Sequence, residues 1–339
     1  MRHLFKKYYI IVSNWEFWPW SIIYLPIYFY YLFNVIRLRK WFYFTAVNPC
    51  MYNGGFFGNT KTEMYKLLPK NSYPAYQLIN PDTNIQQLTI TYPCIVKPSI
   101  GERGFGIKKI HHFDDLKKYH DLAQFEYLIQ DFSHYKNELS VFCIRDVSTN
   151  NFYCSSIVGK TLLSIRGDGI HTIVELIFKK PRAYLQLDRL KERWGNKLNT
   201  ILNSGEEFVL IDNANHSKGA IFFNIEDTSN KIEQLFINIS ETIIGFNYGR
   251  YDIMYDNIEG LLAGNYDIIE LNGVGAEPID MYIPNLPFWK GLSILIYHWK
   301  NMFEIASYNM NQLHYKTLTK KEGFTILQKH RKYKGNELW

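Results

Sequence analysis

Residues 249–278, GRYDIMYDNIEGLLAGNYDIIELNGVGAEP, constrain the fold of this 339-residue chain more than any other stretch. Apolar and polar residues alternate on either side of a loop carrying Gly260 and Gly264, which predicts a hairpin of two strands, 248–254 and 266–271. Side chains two apart on a strand share a face. Arg250 and Asp252 therefore project together from the first strand, and Glu270 and Asn272 from the second. Antiparallel pairing with those faces matched brings together two carboxylates, an amide oxygen and a guanidinium. Oxygen donors of this kind suit Mg²⁺, which is held by one or two carboxylates plus substrate phosphates. A solvated hairpin with its charges on the wet face fits the same pattern, so the choice rests on residues upstream.

The length allows a sizeable core and two or three subdomains. A net charge of +6 fits an anionic ligand or a membrane surface. Without a dense Lys/Arg stripe it argues against nucleic acid as a partner. The four cysteines, Cys50, Cys94, Cys143 and Cys154, form no CxxC pair and no zinc-ligand spacing, which points to a reducing compartment rather than a disulfide framework.

Residues 17–36, FWPWSIIYLPIYFYYLFNVI, are uncharged for 20 positions, and Arg37, Arg39 and Lys40 follow. The length and the aromatic and basic flanks predict a membrane-associated helix, either a span or an interfacial helix. Pro19, Pro26 and the polar Ser21 and Asn34 keep a buried helix open as the alternative. No small-residue cleavage site follows, so the run does not read as a signal peptide.

Residues 41–47 read as a strand and 48–58, NPCMYNGGFFG, as a glycine-rich loop whose NP and NGG turns need no ligand to explain them. Lys61 opens a helix over 60–68, and 69–84 is a polar connection. Residues 92–110, YPCIVKPSIGERGFGIKKI, are more informative. A buried strand over 94–96 delivers Lys97, a loop with Gly101, Gly104 and Gly106 follows, and a strand returns over 107–110. Glycines let backbone N–H groups approach phosphate oxygens while a lysine adds point charge. Neither a Walker loop nor a dinucleotide fingerprint is present, because GxxxxGK[ST] is missing and a strand follows the loop where those motifs need a helix. Phe105, between two glycines, is expected to fold down as the apolar part of a lid.

Further on, a helix is expected over 113–119 and strands over 125–130, 139–144 and 155–165. A helix starts near Thr172, and 181–195 is helical. Residues 206–224 read as strand, loop, strand, and the amphipathic helix 231–246 leads back to the hairpin. Helix 288–310 closes the chain with core or docking residues. His171 and His216 read as loop or capping histidines, with Arg166 a somewhat better candidate for substrate contact.

Taken in order, IVKPSIGERGFGI, LIQDF and the D…E-x-N of the hairpin resemble the ATP-grasp superfamily, within it the carboxylate–amine ligases of the D-alanine–D-alanine ligase and cyanophycin synthetase type. RGDGIHTIVELI and ANHSKGA are similar to segments of the cyanophycin and glutathione synthetase branch. The resemblance covers roughly residues 61–280. It implies an α+β fold in which two α+β subdomains clasp ATP. The divisions expected from it are 1–45 (apolar and membrane-associated), 46–91 (short α/β segment), 92–285 (ATP-grasp domain) and 286–339 (C-terminal helix and tail).

The resemblance also implies roles. Lys97 and Lys61 would bind ATP phosphates, and the loop through Arg103, Gly104, Phe105 and Gly106 would close over them. Gln130, Asp131 and Phe132 would form the adenine hinge, and Glu138 would take the ribose hydroxyls. Asp252, Glu270 and Asn272 would hold Mg²⁺, as two ions, and Arg250 together with Lys97 would stabilise the transferring phosphoryl group or the later tetrahedral centre. The implied reaction turns a carboxylate into an acyl phosphate that an amine then attacks, with no protein nucleophile. The family commonly carries an N-terminal open α/β domain that shapes the substrate site. Here only one strand is expected before Lys61, so the carboxylate and amine stay unassigned. A non-catalytic ATP-binding sensor or scaffold, and a phosphoryl-transfer enzyme using the same cleft, remain as alternatives. ATP places the body in the cytoplasm or on the cytoplasmic side of a membrane contacted through 17–40.

Overall fold

The computed structural model describes residues 2–101, 105–212, 214–226 and 229–335. Its strands are β1 (Tyr76–Ile79), β2 (Cys94–Pro98), β3 (Lys108–Ile110), β4 (Tyr127–Asp131), β5 (Asn137–Arg145), β6 (Phe152–Thr161), β7 (Leu163–Arg166), β8 (Glu207–Ile211), β9 (Ile221–Asn224), β10 (Tyr248–Tyr255) and β11 (Tyr266–Asn272). The helices are α1 (Arg2–Ser13), α2 (Trp20–Ile23), α3 (Leu25–Leu38), α4 (Lys61–Leu67), α5 (Phe113–Leu122), α6 (Ile173–Lys179), α7 (Pro181–Leu185), α8 (Leu187–Trp194), α9 (Ser229–Thr242), α10 (Ile258–Leu262), α11 (Phe288–Asn311) and α12 (Lys320–Gly335). The fold is α+β.

Three antiparallel sheets organise the chain, with orders β1-β4-β2-β3, β11-β10-β5-β6-β9 and β7-β8. Strand alternation divides each sheet between core and site. On the four-stranded sheet, Cys94, Val96, Tyr127 and Ile129 pack on Leu116 and Tyr119 of α5. Lys97 and Gln130 are set on the opposite face by the same alternation. On the five-stranded sheet, Leu139, Val141, Cys143, Tyr251 and Ile253 pack against Ile232, Phe236 and Ile239 of α9. The other face is shared. Phe142, Ile144 and Tyr248 lie under Met302, Phe303 and Ala306 of α11, while Glu138, Ser140, Arg250 and Asp252 occupy the remainder. The small β7-β8 sheet packs with α6, α7 and α8 around Leu163, Ile177, Leu187 and Leu210.

The expected strand 155–165 is divided between β6 and β7, which lie in different sheets, and α12 follows the helix expected to close the chain. Three expectations in the first 80 residues also change. Residues 41–47 do not form a strand: Tyr43–Ala46 is a 3₁₀ turn, and only Phe42 makes a bridge, to Leu318. Tyr43, Phe44, Ala46 and Val47 are all buried, so the segment packs on every side instead of presenting alternate faces. The polar connection contains an edge strand, β1, paired with β4 from Tyr76↔Gln130 to Ile79↔Tyr127. The expected single helix over 17–36 is divided into a 3₁₀ turn at Trp15–Phe17, the one-turn α2 behind Pro19, and α3. Pro26 sits in the first turn of α3, where its missing N–H breaks no helical bond. Among the described residues no helix is long and apolar enough to cross a membrane, so the expectation of a membrane-spanning helix is not supported.

Candidate active site

Thr60 and Glu63 form a reciprocal capping box that starts α4 and sets Lys61 as its first residue. The Lys61 N–H donates to the Ser99 carbonyl at 2.9 Å, and its ammonium donates to the Gly101 carbonyl at 3.2 Å. Beside it, Lys97 on β2 is 4% exposed. Its Nζ donates to the Tyr65 hydroxyl at 2.7 Å and to the Ile269 carbonyl of β11 at 3.5 Å. Burial, and then the Lys61 charge, depress Lys97 to about 7, against a smaller opposing pull from Glu270. No carboxylate among the described residues lies within salt-bridge distance of it. A buried ammonium depressed by desolvation and by a second lysine beside it makes a site that favours an anion.

Tyr65, which the sequence reading passed over, ties the two sheets together at this point. Its hydroxyl donates to the Ile269 carbonyl at 2.9 Å and accepts from Lys97 and from Gln130 Nε2, the latter at 2.8 Å. Gln130 also donates to the Pro74 carbonyl at 3.3 Å. The Asp131 N–H donates to the Ala75 carbonyl at 2.9 Å, so that hinge donor is already used. Phe132 is half-buried under the Lys109 ammonium, 3.7 Å from its ring centre.

The hairpin pairs antiparallel with Arg250 opposite Asn272 and Asp252 opposite Glu270, which is the register that brings the four polar side chains together. Asp252 is 4% exposed and collects five donors. Oδ1 accepts from the Ser140 hydroxyl, from Lys160 at 2.7 Å and from Arg250 Nε at 3.2 Å. Oδ2 accepts from Arg250 at 2.9 Å and Asn272 Nδ2 at 3.2 Å. Burial alone would raise its carboxyl, but Arg250 and Lys160 outweigh it and hold Asp252 well below the ordinary carboxylate range. Glu138, at the start of β5, bonds to Lys160 at 2.5 Å. Burial leaves Glu138 above its ordinary value despite that partner. The Arg250 guanidinium also donates to the Glu277 carbonyl at 2.7 Å. Lys160 is the second residue the sequence reading missed. Its signal was alternation, since a lysine two residues from the buried Val158 shares the face that carries Ser140 and Asp252.

These residues fit a divalent cation in part. Among the described residues no three His, Cys, Asp or Glu side chains are grouped to hold a metal. Asp252 is engaged by protein cations, whereas Glu270 accepts no side-chain hydrogen bond among the described residues. Glu270 and Asn272 are all-oxygen donors beside the lysine pair, as a cation carrying phosphates requires.

Arg103 and Gly104 lie outside the described residues. Phe105 is 36% exposed. Gly106 has φ 66°, and a Cβ there would come within 2.7 Å of Pro98 Cγ. Its carbonyl accepts from the Tyr119 hydroxyl at 3.0 Å, which pins the base of the loop. The 48–58 loop is held against the hairpin by Asn48, whose Oδ1 accepts from the N–H groups of Asn247 and Tyr248 at 2.9 and 3.0 Å. A Cβ on Gly55 would come within 2.6 Å of Gly273 Cα, so the two backbones touch directly beyond Asn272. A cavity of ≈ 140 Å³ opens there, lined by Cys50, Met51, Asn59, Met64, Leu271 and Asn272 among others.

His171 bonds to Asp168 at 2.6 Å in its own turn. His216 faces Glu16 at 3.2 Å and stacks on Tyr282 with ring centres 4.0 Å apart. Arg166 lines a separate cavity of ≈ 270 Å³ with Lys180 and Glu207, which contains none of the ATP or metal candidates.

No family model and no curated protein matches the chain significantly. Solved structures do. A bifunctional glutathione synthetase from Pasteurella multocida matches at 16% identity and a TM-score of 0.40, over 70% of this chain and 35% of its own. The VanG D-Ala:D-Ser ligase from Enterococcus faecalis matches at 14% and 0.41, over 71% and 61%. A D-alanine–D-alanine ligase from Bacillus anthracis matches at 13% and 0.41, over 73% and 65%. The chain thus spans between a third and two thirds of the length of these proteins. These three solved structures are ATP-grasp carboxylate–amine ligases, and the likeness is at low identity and in coarse architecture.

Proposed function

We propose that the chain is an ATP-dependent carboxylate–amine ligase of ATP-grasp architecture, with residues 92–285 as the nucleotide-clasping unit. The observation that carries this reading is the pair Lys61 and Lys97, buried together at the seam of two sheets and facing Glu270 across it. A buried ammonium depressed to about 7 gains most from a polyanion that restores its charge. ATP phosphates are such a polyanion. Gln130, Asp131 and Phe132 sit at the end of β4 where an adenine ring would lie, and Glu138 at the start of β5 would meet the ribose.

The reaction joins a carboxylate oxygen to the γ-phosphorus and releases ADP. An amine then attacks the acyl carbon, forms the C–N bond and expels phosphate, with one proton lost from nitrogen. Lys97 and Lys61 draw the phosphates into place. Arg250, kept charged by Asp252 despite its burial, neutralises charge on the transferring group and the tetrahedral centre. The loop through Phe105 and Gly106 would exclude water from the acyl phosphate. Glu270 and Asn272 would hold Mg²⁺, with Asp252 joining them only by giving up one of its protein donors, and the ion when bound supplies charge neutralisation to the phosphates. The cavity beside Asn272 has room for a small acyl or amine group. ATP as substrate puts this chemistry in the cytoplasm or at the cytoplasmic face of a membrane.

The saturation of Asp252 by Arg250, Lys160, Ser140 and Asn272 favours a second reading, a nucleotide-binding module that does not turn over. One experiment separates the two. Purified protein is given ATP and Mg²⁺ with pairwise panels of carboxylates and amines, and ADP release and amide formation are measured together with ATP binding. ADP release that requires both partners supports the ligase. Binding without partner-dependent ADP release supports the module, and no ATP binding overturns both.

A further inference from the structure

The N-terminal 40 residues contain six Lys/Arg and a single acid, Glu16. That acid is turned inward, paired with Arg182 and His216. The helices on either side of it carry apolar residues on two faces. In α3, Ile27 and Val35 are buried against the body. Leu25, Tyr28, Phe29, Leu32, Phe33 and Ile36 recur at three- and four-residue intervals on the opposite side and are exposed, with Phe29 at 67%, Phe33 at 62% and Ile36 at 76%. This outward stripe runs for about 17 Å along the helix. Arg39 and Lys40, both exposed, follow directly at its end. α1 repeats the division. Ile10 joins the core around Leu163 and Leu187, while Leu4, Phe5, Tyr8, Tyr9 and Val12 are exposed, Phe5 at 77%.

Exposed apolar area on this scale marks a docking surface, since scattered surface hydrophobes do not line up at helical spacing. The charge pattern selects the occupant. Basic residues at the end of an apolar, Tyr- and Phe-rich helix match the headgroup region of an anionic bilayer, where the stripe reaches the acyl boundary and Arg39 and Lys40 meet lipid phosphates. We infer that α3 and α1 lie flat on an anionic membrane surface, with their outward stripes inserted and Arg39 and Lys40 on the headgroups. This is monotopic docking, independent of the ligase reading.

The test uses full-length protein and sedimentation with vesicles of phosphatidylcholine mixed with phosphatidylglycerol, or of phosphatidylcholine alone. Binding is expected to the mixed vesicles and to weaken with salt. Phe29→Ser with Phe33→Ser should lower the vesicle partition coefficient about tenfold or more, and Phe5→Ser with Tyr9→Ser should lower it in the same direction. Arg39→Glu with Lys40→Glu should lower it about tenfold on mixed vesicles and leave it little changed on neutral ones. Ile244→Ser, at a residue 92% exposed beyond α9, should leave binding intact. Thermal unfolding of each variant checks that the fold survives, as expected for exposed positions. Wild-type protein that stays off the mixed vesicles, or an α3 variant that binds as well as wild type, overturns the inference. So does a stable dimer in sedimentation velocity that the α3 changes dissociate, because the stripe is then covered by a second copy.

Discussion

The ammonium of Lys160 on β6 reaches over β5 to within 2.7 Å of Asp252 on β10, although the two strands are not neighbours in the sheet. The same ammonium bonds to Glu138 at 2.5 Å. Lys160 and Asp252 side chains are each 6% exposed. Two acids and two bases, Arg250 included, are therefore neutralised within one buried patch, and each depends on the others.

Removing the cation from such a patch leaves charge stranded in low dielectric. Lys160→Met is expected to cost about 3–5 kcal/mol of stability. The loss should be read by urea unfolding near neutral pH. Adding Glu138→Gln should recover part of it, because Glu138 loses its ion pair with Lys160 while Asp252 keeps Arg250. A Lys160→Met variant within about 1 kcal/mol of wild type would show that the patch is solvated and not a closed ion network.

Lys97 gives a second expectation through proton linkage. Its folded pKa is depressed to about 7 by burial and by Lys61. Phosphate beside it favours the ammonium and raises that value, so nucleotide binding above pH 7 takes up a proton. Affinity should be highest below about pH 7 and fall as pH rises through that value. Calorimetry at pH 8 in two buffers of different ionisation enthalpy reads the uptake directly. Lys97→Met should lose both the uptake and the pH slope. Equal binding heats in the two buffers would mean that Lys97 does not face the phosphates.

Much of the site was legible in the hairpin because alternation fixes faces and the polar residues came at even spacing. Arg250↔Asn272 and Asp252↔Glu270 follow from that alone once the strands pair. Other parts depend on tertiary packing that no local pattern encodes. β1 was hidden because Gln77 and Leu78 are exposed on an edge strand, which leaves no apolar face to detect. Residues 41–47 were misread because aromatic, β-branched composition imitates a strand, whereas Tyr43 and Phe44 are buried together by α11 and its neighbours. Tyr65 looked like one more aromatic in a helix. Its role comes from the meeting of two sheets at Ile269, 204 residues away in sequence.

Glu270 differs from Asp252 in having no side-chain donor of its own among the described residues. Glu270→Gln should therefore keep stability within about 1 kcal/mol of wild type. Its effect should fall on the cation. Mg²⁺ should strengthen ATP binding to wild type and have much less influence on the variant. Titration of ATP with and without Mg²⁺ measures the difference. An unchanged Mg²⁺ effect in Glu270→Gln would remove Glu270 from the metal set.

Asp280 lies just beyond the hairpin, and its Oδ1 is buried without a hydrogen-bond partner among the described residues. Burial raises its carboxyl to about 6, against smaller opposing contributions from backbone groups and the Ser156 hydroxyl. A carboxyl raised in the folded state contributes stability that is full below its unfolded pKa and is lost as pH rises through the folded value. For Asp280 that window runs from about pH 4 to about pH 6. Buried His298 works in the opposite sense. Desolvation lowers it to about 3, so its contribution is lost as pH falls from its unfolded value near 6.5 toward 3. The two partly cancel in wild type, which is why the test needs a difference. Unfolding free energies of wild type and Asp280→Asn, measured from pH 4 to pH 8, should diverge in favour of the variant as pH rises through 6 and then run parallel. Asn keeps the shape and cannot ionise, so the difference isolates the carboxyl. Curves that stay parallel across the whole range would mean that Asp280 ionises as readily folded as unfolded, and that its buried oxygen finds a partner in solution.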